Sequence, residues 1–356
     1  MASVRLIAEA AGVSIATVSR VLNNDPVVKA STRSAVLSAV ERVGYRKERG
    51  AAAGVSAALI GFAYTQQRTL AHAFDAAVFD GVVRACEEAQ HDVVVLNMAR
   101  EKRANETYAH YFRRKGVNGV ILRTADATRD ICERIADEGV RHVVISERFE
   151  HENVNYIDAD SKAESQRAIE YLVALGHRRI AFAMHNVPDR DHFDRLEAYH
   201  SALEAAGIAP DARYVCRQPS SLAGGATVIT MLQSLGAPPT AIFFADPVLA
   251  IGAVKRAHEL GVRIPEDLSI VGFDDTDMRL AVHPTLTAVC QDASLLGVNA
   301  ARWLTRCASG ETFRRIVPTF FEINRSTGPA PAAASGGPTP LPSSVPAPRR
   351  EIRRTQ

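Results

Sequence analysis

The sequence predicts a small all-α helix-turn-helix headpiece followed by an α/β core of two doubly wound parallel-sheet lobes. Three observations carry this expectation. Helical periodicity in short pieces fills residues 1–46. From Leu59 onward, apolar β-type runs alternate with amphipathic helical stretches, which implies parallel strands covered on both faces. The strand-like runs number about ten, too many for one small open sheet, and 356 residues exceed one ordinary compact core.

In the headpiece, Leu6 to Leu22 fits two short helices around a tight turn. Ala8, Ala10 and Ala11 allow close helix approach, Gly12 tolerates the turn and Val13 plugs the space between the helices. Ser14 is placed as N-cap of the second helix, on which Val18, Val21 and Leu22 share one face. They are expected to pack against Val36, Val40 and Val43 of a third helix running from about Thr32 and stopped by Gly44. That packing turns Ile15, Ala16, Ser19 and Arg20 outward. A helix start of this kind can meet base edges in the major groove, with Arg20 reading guanine and Ile15 and Ala16 touching thymine methyls. Ser14, Thr17, Ser19 and Asn23 are candidate phosphate contacts. A three-helix protein-interaction module with an ordinary surface arginine fits the same pattern equally well.

Residues 47–58, which include the run GAAAGVSAA, read as a hinge or linker. The core then follows in order: strands at 59–64, 93–96, 119–122, 142–147, 156–160, 179–184, 241–246 and 268–275. Helices are expected near 75–90, 105–115, 162–175, 195–206, 225–235 and 248–260. Residues 328–356 are rich in Pro, Ala, Gly and Ser, with almost nothing large to bury, and are expected to be a disordered tail.

Charge is distributed unevenly beneath a net value of +2. Residues 1–60 hold eight Lys/Arg against four acids, and the tail holds four Arg against Glu351, so the intervening body is acidic. A basic headpiece on an acidic body suits phosphate contact at one end. No apolar stretch has the length of a signal peptide or a membrane span, which points to a cytoplasmic protein that engages no membrane. The five cysteines are scattered and lack CxxC spacing, so disulfides, a metal site and bound cofactors are not expected. Phosphate-cradling, zinc-protease and nucleophile-elbow motifs are missing, and no catalytic residues are proposed.

The segments AAGVSIATVSRVLNND and STRSAVLSAVERVGY closely resemble the headpiece of the lactose-repressor and galactose-repressor family of transcriptional regulators. The resemblance continues through GHRRIAF, PTAIFFAD, GVRIPEDLSIVGFDD and HPTLTAV, covering roughly residues 3–327. It implies a sequence-specific DNA-binding repressor that binds a pseudo-palindromic operator as a homodimer, with pairing into tetramers left open. It also implies a periplasmic-binding-protein-like core over 59–327 whose two lobes hold a small effector in their cleft. Lobe 1 would span about 59–158 and 289–318, and lobe 2 about 159–288 and 319–327. A ligand-binding module, or a regulator controlled by a protein partner with altered operator recognition, is the alternative.

The hinge departs from the family pattern. Lys47-Glu48 stands where Pro-Asn is usual, no leucine appears before Leu59, and two glycines each weaken a helix by roughly 1 kcal/mol relative to alanine. A less ordered hinge, and less kinking of DNA by an inserted wedge, are therefore expected.

In open α/β folds the ligand sits beyond the carboxyl ends of the strands, so effector candidates are the residues that follow each apolar run. These are Phe74 and Asp75, Arg123, Arg190 and Arg195, Asp246 and Asp274. The resemblance ranks Asp274, Arg195 and Phe74 first. Carboxylates accepting from hydroxyls, arginines donating and an aromatic platform suit a sugar, and converging arginines extend the expectation to a sugar acid. Interlobe salt bridges are the competing role for these side chains. Asp246-Pro247 replaces the family's usual Asn-Asp, so the family's sugar specificities do not transfer directly. His177 reads as a turn residue between helix and strand.

Overall fold

The computed structural model describes residues 4–22, 28–43, 58–66, 70, 72–306 and 311–332. The chain divides into two units, 1–57 and 58–356. Asn23, the hinge before Ala58, Cys307 and tail residues 333–356 lie outside the described residues.

The headpiece consists of α1 (Val4–Ala11), α2 (Ile15–Leu22) and α3 (Ala30–Val43). Ile7, Ala8, Val18, Val21, Val36 and Ala39 are buried together, with Ala11, Val13, Val28 and Val40 packed against them. Ala10 is exposed instead of packed in this seam, because it lies on the far side of α1 from Ala8. The third helix begins at Ala30, earlier than its periodicity indicates.

The core begins with β1 (Ala58–Tyr64), α4 (Ala73–Glu88), β2 (His91–Asn97), the short α5 (Met98–Glu101), α6 (Tyr108–Lys115), β3 (Val117–Arg123), α7 (Arg129–Asp137), β4 (His142–Ile145) and β5 (Tyr156–Asp160). It continues with α8 (Ser161–Ala174), β6 (Ile180–His185), α9 (Arg190–Ala205), β7 (Val215–Gln218), α10 (Leu222–Gln233), β8 (Ala241–Phe244), α11 (Pro247–Glu259), β9 (Ser269–Asp274) and β10 (Thr287–Cys290). The last elements are α12 (Ala293–Arg306), β11 (Arg314–Pro318) and β12 (Phe320–Glu322). Local chemistry starts several helices. Thr107, Asp160 and Ser221 accept backbone N–H groups as N-caps of α6, α8 and α10, and Pro247 opens α11.

Two six-stranded sheets result, in the orders β11-β5-β4-β3-β1-β2 and β12-β10-β9-β8-β6-β7. The first is parallel throughout, whereas β12 runs antiparallel to β10 at the edge of the second. Each sheet forms one lobe and has apolar clusters on both faces, as strands apolar on both sides require. The chain passes between lobes three times: after β5, between β10 and α12, and between β11 and β12. Thr319, in the last passage, donates its hydroxyl to the carbonyl of Asp160 in the first at 2.7 Å. Helix α12 returns to lobe 1 and packs on α4 at very close range. A Cβ on Gly81 would meet the Ser294 carbonyl oxygen at 2.0 Å, and one on Gly297 would meet that of Val78 at 2.0 Å.

The first residues of the tail are not loose. Gly328 N–H donates to Ser269 Oγ and Ala330 N–H to the Leu175 carbonyl at 2.8 Å, so composition placed the end of the core too early. His177 is wholly buried, with ring nitrogens 2.9 Å from Thr240 Oγ1 and 3.1 Å from Ser269 Oγ, so it ties a helix-to-strand turn to its neighbours. Cys86, Cys132, Cys216 and Cys290 are buried free thiols. Among the described residues, no helix is long and apolar enough to cross a membrane.

Candidate functional site

Two surfaces are candidates, one in each unit. On the headpiece, Ser14 Oγ accepts the Thr17 N–H at 3.1 Å and lies 2.9 Å from Thr17 Oγ1, which starts α2. Burial of Val18 and Val21 on one side leaves Ile15, Ala16, Ser19 and Arg20 exposed on the other, with Ile15 at 51%. Ser14 is exposed beside them and Thr17 is half-buried. Eight helical residues span about 12 Å, comparable to the width of a B-DNA major groove.

In the core, a cavity of about 490 Å³ opens between the lobes at the carboxyl ends of the strands. Its lobe 1 wall centres on Arg123, the last residue of β3. The Arg123 Nε donates to Asp75 Oδ1 at 2.7 Å and Nη1 to the Ile145 carbonyl at 2.7 Å. Its guanidinium also lies 4.7 Å from the centre of the Phe74 ring. Burial works against the charge of Arg123, but the Asp75 carboxylate holds the pKa above its ordinary value.

The lobe 2 wall is built on the first turns of α9. Asp189 is the N-cap of α9, and its carboxylate accepts the His192 N–H at 3.4 Å. His192 Nδ1 lies 2.6 Å from Asp189 Oδ1, and Nε2 lies 3.3 Å from both oxygens of Asp246. Burial would lower the His192 pKa, but the two flanking carboxylates raise it to about 10, so an imidazolium donates to both. Asp189 and Asp246, which burial would push up, are held below the usual carboxylate range by that cation. The Asp246 carboxylate also accepts the His185 N–H at 2.9 Å.

One turn further along α9, Arg195 donates to the Ala245 carbonyl at 2.8 Å and to Ser161 Oγ at 3.3 Å. Its guanidinium lies 3.4 Å from the centre of the Phe273 ring. Ser161 in turn donates to Asp191 at 3.0 Å. Burial and the nearby Asp158 carboxylate push Asp191 well above the ordinary range. Asp275 accepts from Gln291 Nε2 at 2.5 Å, and burial raises it to about 6. Three buried polar atoms on the same lining have no hydrogen-bond partner among the described residues: Ser146 Oγ, Arg195 Nε and Gln291 Oε1. Among the described residues, no cluster of three or more His, Cys, Asp or Glu side chains could hold a metal ion.

Of the effector candidates read from sequence, Phe74, Asp75, Arg123, Arg195 and Asp246 line this cavity, whereas Arg190 and Asp274 do not. Arg190 is half-exposed and pairs with Asp194 at 2.9 Å, because its side chain leaves α9 on the solvent side of the first turn. Asp274 is buried beneath the turn that follows β9. Its carboxylate accepts the Met278 N–H at 3.0 Å and meets Arg279 at 2.8 Å, and Arg279 also reaches Glu322. Alternation at the strand end delivers Asp275 to the cavity in its place. Glu147 and Arg148, which follow β4, are occupied by Arg129 and by Asp158 with Asp194 respectively. Sequence reasoning missed Asp189, His192, Asp275, Gln291 and Ser146 as lining residues. A capping signature was available in Asp189 followed three residues later by His192.

Comparison with known proteins adds relatives that span both units. Residues 4–48 match the family described as bacterial regulatory proteins, lacI family, and residues 169–320 match a periplasmic binding protein-like domain. Catabolite control protein A of Priestia megaterium is 28% identical over 326 residues, covering 90% of this chain and 98% of its own. The structure of the transcriptional regulator CelR in complex with cellobiose aligns with a TM-score of 0.64 at 26% identity, covering 91% of this chain and 99% of its own. The lac repressor dimer bound to operator and the anti-inducer ONPF aligns with a TM-score of 0.65 at 27% identity, covering 90% and 98%.

Proposed function

Since this chain belongs to the lacI family of bacterial regulatory proteins, we propose that it represses transcription by binding an operator as a homodimer in the cytoplasm, under control of a small effector in the interlobe cleft. The observation that carries the DNA half of this reading is the exposed face of α2. Val18 and Val21 anchor the helix in the headpiece core, so Ile15, Ala16, Ser19 and Arg20 face outward as a rigid set. Arg20 reads a guanine edge, Ile15 and Ala16 make apolar contacts, and Ser14 and Thr17 approach the phosphates. One helix this short reads too few base pairs for genomic specificity, and a twofold dimer doubles the site.

The effector half rests on the cavity. It is walled by fixed donors and acceptors from both lobes and carries unsatisfied polar atoms of both kinds, which suits a polyhydroxylated ligand. The related CelR structure holds cellobiose, which supports a sugar as the class for this chain.

Selection of duplex DNA from a randomised pool by the full-length protein, at near-physiological salt, tests the reading. A pseudo-palindromic site is expected, and Arg20→Ala should relax preference at one position per half-site by about 1–3 kcal/mol. Enrichment of no sequence would refute operator binding. The selected site then serves to screen sugars for their effect on affinity.

A further inference from the structure

The charge balance of the cleft narrows the class of ligand, given the effector reading above. Asp75, Asp189, Asp191, Asp246 and Asp275 all line the cavity. Three cationic groups answer them, and each is already committed. Arg123 donates from Nε to Asp75 and from Nη1 to the Ile145 carbonyl, and His192 has a carboxylate at each ring nitrogen. Arg195 donates from both terminal nitrogens to Ala245 and Ser161. His72 and His185 are the other ionisable groups among the described lining residues.

An incoming carboxylate or phosphate therefore meets no arginine with two adjacent nitrogens free: Arg123 has partners at Nε and Nη1 and Arg195 at Nη1 and Nη2, and the buried Nε of Arg195 lacks one. It would instead approach carboxylates that the protein has not matched with cations. Asp191 relies on a serine hydroxyl and an Arg195 nitrogen 3.8 Å away, and Asp275 on the Gln291 amide. The unpartnered atoms describe the rest of the ligand. Gln291 Oε1 needs a donor, Arg195 Nε needs an acceptor and Ser146 Oγ can serve either, and all three residues are more than nine-tenths buried.

We propose that the cleft takes a polyhydroxylated ligand bearing a positively charged nitrogen, an amino sugar in chemical class, with Asp191 and Asp275 as the residues that select it over a sugar acid. A bound ammonium supplies the cation that lobe 2 lacks, while ring hydroxyls satisfy the serine, the arginine nitrogen and the glutamine oxygen. The raised proton affinities of Asp191 and Asp275 agree with this shortage.

The test is calorimetric titration of the full-length protein at pH 7 with two matched trios: glucose, glucosamine and glucuronate, then galactose, galactosamine and galacturonate. In any trio that binds, the amine should bind at least about tenfold tighter than the acid, a difference near 1.4 kcal/mol. Asp191→Asn and Asp275→Asn should each shrink that ratio and, without ligand, each raise the melting temperature. An acid that binds more tightly than its amine overturns the proposal, as do two asparagine variants that melt at or below the wild-type temperature. If none of the six sugars binds, the melting comparison decides alone. Failure of operator selection with higher-melting variants would sink the regulator reading and leave the charge assignment standing.

Discussion

On the lobe 1 wall of the cleft one aspartate meets one arginine, whereas on the lobe 2 wall Asp189, Asp191, Asp246 and Asp275 share Arg195 and His192. The first arrangement is closed: Arg123 and Asp75 are 3% and 1% exposed and satisfy each other at 2.7 Å. The second is open, with two carboxylates held by His192 and two left to neutral or distant partners. A buried pair strongly resists loss of either member, while a buried surplus is relieved by removing one. The lobe 1 wall therefore reads as scaffold and the lobe 2 wall as receptor.

The largest test of this contrast lies on the closed side. Asp75→Ala strands the Arg123 guanidinium in the interior and should cost about 3–5 kcal/mol in denaturant melts, with Asp75→Leu/Arg123→Met recovering most of it. A single-variant loss below about 1 kcal/mol would mean that the pair is solvated, and the contrast would fail.

His192→Gln comes next, since it removes the cation that two carboxylates share, and should cost about 3 kcal/mol at pH 7. The folded pKa near 10 stands above the unfolded value of about 6.5. The stabilisation is thus fully present below pH about 6.5 and is lost as pH rises through about 10. Wild type and variant should converge over that window, and parallel curves would show that the imidazolium is not the source.

Asp275→Asn has the opposite sign. Its carboxyl faces Arg195, Gln291, Asp274 and Asp246, and its folded pKa of about 6 exceeds the unfolded value of about 3.9. Its favourable contribution is therefore present only below pH about 4 and is lost as pH rises through about 6. Replacement should stabilise by about 2 kcal/mol at pH 8 and by nothing at pH 3.5, as read from melts at the two pH values.

The smallest effect is expected at Arg190, whose partner Asp194 also has Arg148 within 3.5 Å. Arg190→Ala should change stability by less than about 0.5 kcal/mol and leave ligand affinity alone. A clear loss of affinity by calorimetry would return this residue to the cleft.

The sequence showed the headpiece almost completely because its code is short-range: one helical period decides that Val18 faces inward and Arg20 outward. The core strands were legible for a related reason, since runs such as AIFFA and SIVGF are apolar on both faces. Positions at or just beyond a strand's carboxyl end, such as Arg123 and Asp246, could be assigned to the cleft from topology alone. The helix after β6 was harder, because α9 begins at Arg190 and not near 195, and its capping turn supplies Asp189 and His192. Asp274 and Asp275 differ by one step of strand alternation, which only the turn held by Arg279 resolves. The edge strands β7, β11 and β12 are too short to stand out, and β12 owes its pairing to a partner 32 residues away in sequence, as Val289 lies opposite Phe321.

The close packing of α12 on α4 also sets an order of assembly on the ribosome. The two helices are far apart in the chain, with Arg302 and Glu88 paired at 3.0 Å across 214 positions. As the chain emerges, Val78, Gly81 and Val82 have no cover until nearly all of lobe 2 has been made. Lobe 2 can close its sheet, apart from the edge strand β12, before lobe 1 receives α12 and β11. The lobe whose synthesis starts first therefore waits for most of the chain before it is covered, and its waiting apolar face is where a nascent chain would recruit a chaperone or mispair with a neighbour.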